Sequence, residues 1–180
     1  EIGTYILFQE TYHRARYEEL HPSGPKADYA WHTEAHDRAM AAGIDDVGLG
    51  VLFGLEGYAY EFAGLLMHAE HLEAAFGVGP HTISVPRVKP ASDIDPDAFD
   101  NGIPDEMFEK IIALIRIAVP YTGMIISTRE SQEVRAAALQ LGVSQISGGS
   151  RTSVGGYVDE ARPHDTEQFD VSDQRTLDEV

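Results

Sequence analysis

Four cations follow three strand-like segments of this acidic sequence, at positions where they could bind a carboxylate. Arg87 and Lys89 come at the end of HTISVPRVK, Arg129 lies near the end of TGMIISTRE, and Arg151 follows VSQISGG. The chain has only 13 Lys and Arg residues against 30 Asp and Glu, so four cations at these ends are a concentration of positive charge. Guanidinium groups bind carboxylates through two parallel hydrogen bonds. The pattern therefore indicates carboxylate recognition.

Glu10, which follows the first strand-like segment, would lie opposite these cations. We predict a site for one or two amino-acid-like ligands, in which Glu10 accepts the ammonium group and arginine holds the carboxylate. Ser147 or Ser150 would add a hydroxyl donor. The alternative is that strand ends carry ion pairs that satisfy one another, and two such pairs are open: Glu10 with Arg87, and Arg129 with Glu130.

Three histidines are candidates for a metal site. His81 begins a strand, so it lies at the opposite end of that strand from Arg87; a lone histidine of this kind is more often a structural hydrogen-bonding group than a ligand. His68 and His71 are three residues apart on a predicted helix, a spacing at which two imidazoles share a face and could share a metal. A solvated helix surface is the simpler interpretation of that pair.

Strand-like and helical segments alternate along the chain. Period-two and apolar runs predict five strands, within residues 4–8, 46–54, 81–87, 122–130 and 143–149. Helices are predicted from a cap at Asp28 to Gly43, from Tyr58 to Gly77, from Asp105 to Pro120 and over 131–142, with Tyr12, His13 and Tyr17 on a loop. This alternation predicts parallel βαβ units, either in an open doubly wound sheet or in part of a (β/α) barrel, and in both folds sites gather at the carboxyl ends of the strands.

Composition and missing motifs exclude several classes of function. The formal net charge of −17 disfavours binding to nucleic acid or anionic membranes, and we expect a cytoplasmic protein. The chain has no Cys, which excludes disulfides, thiolate metal sites and cysteine nucleophiles within it. Dinucleotide-binding, P-loop, G-x-S-x-G and H-E-x-x-H motifs are absent. Both ends read as breaks within an element, so we expect a fragment.

Long ordered blocks of the sequence resemble the radical S-adenosylmethionine tyrosine lyases, above all the HydG family that matures FeFe-hydrogenase. The blocks are FQETYH, AGIDDVGLGVLFGL, GVGPHTISVPRVKP, VPYTGMIISTRE and LGVSQISGGSRTSVGGY. The tyrosine lyase of thiamine synthesis, 2-iminoacetate synthase, shares the QET and S-x-P-R segments and resembles the remainder less.

The resemblance implies the C-terminal half of a (β/α)8 TIM-type barrel, with about five parallel strands, over residues 1–155. Residues 156–180 would be a polar linker to a cluster-binding extension. The implied chemistry is Cα–Cβ cleavage of L-tyrosine to p-cresol and dehydroglycine. The dehydroglycine is then converted to carbon monoxide and cyanide. The implied partners are other hydrogenase maturation proteins. This chemistry uses S-adenosylmethionine, 4Fe-4S clusters and a labile Fe; the CxxxCxxC and CxxC motifs that hold the clusters are absent here, so the fragment itself would be inactive.

The resemblance also implies roles for single residues. Arg129 and Ser147 would anchor the tyrosine carboxylate, and Glu10 and Arg87 would contact S-adenosylmethionine or substrate. His81 would hold the extra iron of the second cluster, with His68 as its rival. Two alternatives stay open: a 2-iminoacetate synthase, and a non-catalytic α/β half-barrel that binds an amino acid.

Overall fold

The chain forms a five-stranded parallel sheet with helices between the strands. We describe a computed structural model, over residues 3–89, 100–151 and 171–180. Its elements in order are β1 (Tyr5–Ile6), α1 (Arg14–Leu20), α2 (Tyr29–Thr33), α3 (Ala35–Ala41), β2 (Val47–Gly50), α4 (Tyr58–Phe76), β3 (Thr82–Ser84), α5 (Asp105–Ala118), β4 (Gly123–Ile126), α6 (Gln132–Gln140) and β5 (Gln145–Ile146).

The strand order decides between the two predicted architectures. The strands lie side by side in chain order, β1-β2-β3-β4-β5, and each pair is parallel. A doubly wound sheet reverses its strand order at a switch point, whereas a (β/α) barrel adds each new strand on the same side. The unreversed order is therefore that of a barrel segment, which confirms the predicted fold class.

The core lies between the sheet and the helices. Strands β2 and β3 are buried on both faces, as expected for parallel strands covered by helices. Helix α4 contributes Leu65 and Leu72, and helix α5 contributes an apolar face of which every member is almost fully buried: Phe108, Ile111, Ile112 and Ile115. Gly50 in β2 leaves room for the ring of Phe8, which follows β1, because a Cβ at Gly50 would lie 2.6 Å from Phe8 Cδ1.

Most predicted helix boundaries are confirmed. The Asp28 side chain caps α2 by accepting from the Trp31 N–H at 2.9 Å, and Gly77 ends α4 in the left-handed region with φ 78°. Two predictions were wrong. The helix expected from Asp28 to Gly43 is divided into α2 and α3 at Glu34, and Tyr17 lies on a helix, α1, where a loop was expected.

The predicted linker at 156–180 lies outside the described residues up to 170. Its remaining part, residues 171–180, is hydrogen-bonded to the barrel segment: the Asp173 N–H donates to the Thr128 carbonyl at 3.0 Å, and the Gly149 N–H donates to the Arg175 carbonyl at 2.7 Å. None of the helices in the described part of the chain is both long and apolar enough to span a membrane.

Candidate functional site

A cleft of about 760 Å³ opens at the carboxyl ends of the strands. Its volume is that of sites for small organic ligands. Three of the four residues predicted to bind ligand at the strand ends line it: Glu10, Arg129 and Ser147. Its apolar wall comes from strand and loop residues such as Phe8, Leu52, Val85 and Ile125. Its other polar residues are His21, Ser84, Ser127, Thr128, Ser150 and Arg151.

A second, slightly larger cleft lies on the outer helical layer. It has a volume of about 870 Å³ and is lined by Tyr12, Glu34 and residues of α2, α3 and α4. We take the cleft at the strand ends as the candidate site, because in (β/α) barrels ligands bind at the carboxyl ends of the strands.

Glu10 enters this cleft from an unusual backbone conformation. Its φ is 69°, in the left-handed region that residues other than glycine rarely adopt. Its carboxylate forms a salt bridge with the ammonium group of Lys26, and one fifth of the Glu10 side chain is exposed. Glu10 thus pairs with a primary ammonium group, the kind of group that an amino-acid ligand carries.

Arg129 and Ser147 are positioned from behind the cleft. The backbone N–H of Arg129 donates to the Ser127 hydroxyl at 3.1 Å, and its guanidinium donates to the Lys89 carbonyl at 3.4 Å. The Ser147 carbonyl accepts from Arg135, which is fully buried and also pairs with the buried Asp173. Arg175 adds a second guanidinium, and its hydrogen bond lowers the pKa of Asp173 far below the usual range.

Arg87 does not line the cleft. Its Nε and Nη2 donate to the two carboxylate oxygens of Glu130 at 2.8 and 2.6 Å, a bidentate pair between groups that are 4% and 2% exposed. It also donates to Asp105 at 2.5 Å and to the Ile103 carbonyl at 2.7 Å. Burial alone would lower the pKa of Arg87, but the two carboxylates outweigh it and raise that pKa. Arg87 therefore pairs with Glu130, which differs from both pairs left open by the sequence, Glu10 with Arg87 and Arg129 with Glu130.

The histidines lie in three different environments. His81 is at the amino end of β3, well exposed, with Nδ1 3.3 Å from Asp46 Oδ1 and 3.0 Å from the Thr82 hydroxyl. Both contacts are made at Nδ1; metal-binding histidines likewise use one ring nitrogen to hold a carboxylate or carbonyl while the other nitrogen binds the metal. His71 pairs with Asp37 at 2.6 Å on the surface.

His68 was expected on a solvated surface, and that expectation was wrong. It is 8% exposed, and its Nδ1 lies 3.0 Å from the Tyr12 hydroxyl. Burial lowers the pKa of His68 to about 4, so the ring is neutral at physiological pH. Among residues 3–89, 100–151 and 171–180, no three His, Asp or Glu side chains are grouped as a metal site would require.

The roles of two buried carboxylates outside the cleft were not predicted from the sequence. Glu130 was considered only as a partner of Arg129, and Glu61 was not considered. Glu61 is fully buried on α4, where its carboxylate accepts from the Tyr12 N–H at 2.8 Å and from the Thr11 hydroxyl. The available signal was a charge inside the apolar stripe of a helix, since buried carboxylates are kept only where donors meet them.

Three comparisons place this geometry among known proteins. Residues 84–180 match the family model described as the Biotin and Thiamin Synthesis associated domain. The 2-iminoacetate synthases of Escherichia coli (strain K12) and Salmonella typhimurium (strain LT2) are 32% and 31% identical to the chain, over 97% and 99% of it. The chain spans about half the length of these curated relatives, 46% and 47%.

Two solved structures are more similar in sequence. One is a crystal structure of HydG, a maturase of the FeFe-hydrogenase, with a TM-score of 0.93 and 58% identity over 99% of this chain and 38% of that chain. The other is the FeFe-hydrogenase maturase HydG from Carboxydothermus hydrogenoformans, with a TM-score of 0.87 and 48% identity over 98% of this chain and 39% of that chain.

Proposed function

The chain belongs to the Biotin and Thiamin Synthesis associated domain family, and from this premise we propose that the protein works as a radical S-adenosylmethionine tyrosine lyase of the HydG type. The observation that supports it most is the cleft at the strand ends. There Glu10, Arg129 and Ser147 bring an anion, a cation and a hydroxyl to one apolar-walled space. These are the groups that a zwitterionic aromatic amino acid requires.

Each of these residues then has a defined part in binding. Arg129 holds the tyrosine carboxylate, and the Ser147 hydroxyl donates to the same group. When the ligand binds, its ammonium group replaces that of Lys26 at the Glu10 carboxylate. Arg87 acts indirectly, because its donors are occupied by Glu130, Asp105 and Ile103, and it fixes the ends of β3 and β4 beside the cleft.

The iron–sulfur clusters that the family implies do not fit the residues of this chain. Thiolates hold such clusters, and the 180 residues contain no cysteine. We therefore assign no radical-generating step to this chain. His81 is compatible with one ligand of a labile Fe, since Asp46 and Thr82 engage its Nδ1.

Arg129→Ala tests the assignment in the complete protein. Loss of one member of a charge pair at a ligand should weaken L-tyrosine binding by about 2–5 kcal/mol. Tyramine, which has the amine and the phenol but no carboxylate, should bind the variant and the parent equally. Isothermal titration with both compounds measures this, and Arg14→Ala, at an exposed arginine paired with Glu18, is the matched control.

Two outcomes would contradict the proposed role of Arg129. Equal L-tyrosine affinity in Arg129→Ala and the parent would remove Arg129 from the site. Equal losses for tyramine and L-tyrosine would mean that the variant damages the cleft rather than carboxylate recognition.

A second candidate is 2-iminoacetate synthase, which the two curated relatives favour. Both functions begin with L-tyrosine, so binding does not separate them. The products do: a HydG-type enzyme yields carbon monoxide and cyanide, whereas a 2-iminoacetate synthase stops at dehydroglycine.

A further inference from the structure

One face of helix α4 is shaped to receive the loop that carries Glu10. Glu61, Gly64 and His68 recur at a spacing of three and four residues, which puts them in line on one side of the helix. Glu61 contacts the loop residues Thr11 and Tyr12, and Gly64 and His68 contact Tyr12. We call these three residues the α4 strip.

The first contact of the α4 strip is a buried carboxylate. Glu61 accepts from the Tyr12 N–H at 2.8 Å and from the Thr11 hydroxyl, and both Glu61 and Thr11 are fully buried. The Thr11 hydroxyl in turn accepts from the His13 N–H at 3.1 Å. Within residues 3–89, 100–151 and 171–180 Glu61 forms no salt bridge, so its buried carboxylate depends on these donors and the loop and the helix stabilise each other.

The second and third contacts hold the Tyr12 side chain. A Cβ at Gly64 would lie 2.5 Å from Tyr12 Cγ, so the ring packs directly on bare helix backbone. At the ring's far end, the Tyr12 hydroxyl lies 3.0 Å from His68 Nδ1. Burial raises the pKa of Tyr12 well above its usual value and lowers that of His68, so a protonated phenol lies beside a neutral imidazole.

Glu10 lies immediately before these anchored residues and has the left-handed φ of 69°. Such conformations persist only where the surrounding contacts determine them, and they concentrate at functional sites. Thr11 and Tyr12 are fixed on one side of Glu10. On the other side, the Gln9 N–H donates to the Gly50 carbonyl at 2.9 Å. The backbone of Glu10 is therefore determined from both sides, and its carboxylate is directed toward Lys26 and the cleft.

We propose that the α4 strip is a positioning element, which holds Glu10 in place to receive the ammonium group of the ligand. The inference rests on the proposed function for the role of Glu10. It assigns Glu61, Gly64 and His68, none of which lines the cleft at the strand ends, to ligand recognition through the loop.

The test uses Glu61→Leu in the complete protein, with two probes that differ in the ammonium group. Removing both acceptor oxygens should speed amide deuterium exchange of peptides covering residues 9–13 by at least about tenfold, the size expected for losing even one hydrogen bond to a charged group. L-Tyrosine affinity should fall by about tenfold for the same reason. The affinity for 3-(4-hydroxyphenyl)propanoate, which lacks the ammonium, should stay unchanged.

Three further variants keep the test decisive. Glu61→Gln retains an acceptor oxygen and should restore most of the affinity. Gly64→Ala should reproduce the effect of Glu61→Leu by displacing the Tyr12 ring, which covers the case in which Glu61→Leu does not fold. Leu72→Ala is the matched control: it truncates a fully buried side chain of the same helix outside the α4 strip, so it should lower the melting temperature but leave exchange at residues 9–13 unchanged.

Each outcome has one meaning. Unchanged exchange at residues 9–13 in Glu61→Leu and Gly64→Ala overturns the proposal. So does a faster exchange that leaves L-tyrosine affinity intact. If the parent protein itself binds no L-tyrosine, the proposed function fails and takes the role of Glu10 with it, while the exchange data still report whether the α4 strip fixes the loop.

Discussion

The buried pair of Arg87 and Glu130 offers a sharp test of what the strand-end cations do. Replacing Arg87 by Met removes the guanidinium from a site where it is 4% exposed and leaves the Glu130 carboxylate, 2% exposed, without its bidentate partner. Loss of one member of a buried pair costs about 3–5 kcal/mol of the free energy of unfolding. We expect the lower part of that range, because Lys89 Nζ is 3.0 Å from Glu130 and still compensates part of its charge.

The reverse substitution should cost less. In Glu130→Gln, the Arg87 guanidinium keeps its hydrogen bonds to Asp105 and the Ile103 carbonyl, and it still lies 4.5 Å from the Phe108 ring centroid. The loss is then closer to that of one charged hydrogen bond, about 1.5–3 kcal/mol. In the double variant, the two costs should fall short of additivity by about 0.5–3 kcal/mol, because both remove the same interaction.

Urea unfolding, monitored by circular dichroism, measures these free energies. Titration with L-tyrosine, at urea concentrations below the unfolding transition, measures binding. Lys110→Met is the matched control, because Lys110 pairs with Glu106 on the exposed face of α5 and its removal should leave the midpoint unchanged. If Arg87→Met loses less than about 1 kcal/mol of stability yet abolishes ligand binding, Arg87 leaves Glu130 to contact ligand and our account of it is wrong.

Two further predictions concern the histidines. His68 has an unfolded pKa near 6.5 and a folded pKa of about 4, so the unfolded state alone binds its proton between these values, and about 3 kcal/mol of stability should be lost as pH falls from 6.5 to 4. His68→Gln should flatten this part of the curve without abolishing it, since burial also lowers the pKa of His36 and His32; a curve as steep as the parent's would contradict the assignment. His81→Ala should reduce the iron bound per complete protein by one and spare p-cresol release, whereas unchanged iron with reduced p-cresol would show that His81 has another role.

The sequence was informative wherever local rules decide structure. The apolar period of α4 and the stop at Gly77 were readable because one helix face packs on one sheet and glycine adopts φ 78° without strain. Helix α1 was missed because it is seven residues long and rich in charge, with Tyr17 as its single buried residue. Such a helix depends on tertiary contacts that a local pattern does not contain.

The candidate site was predictable in its place and less so in its pairings. Strand ends carry sites in this class of fold, so Glu10, Arg129 and Ser147 could be chosen before their neighbours were known. The burial of Glu61 and His68 could not be predicted in the same way. A helix period gives the face on which they lie, but it does not say that Thr11 and Tyr12 come from another part of the chain to cover them.

The fate of the four strand-end cations follows from strand order, which no local pattern supplies. The register that pairs Ser84 with Ile125 brings the residues after β3 alongside those after β4, so Arg87 lies next to Glu130. Glu10 follows β1, two strands away from β3, about 10 Å across a sheet, and its carboxylate pairs with Lys26 instead of Arg87. Glu130 then engages both Arg87 and Lys89, whereas Arg129 and Arg151 line the cleft. One carboxylate therefore divides the cations into a pair that fixes the sheet and a pair that faces the ligand space.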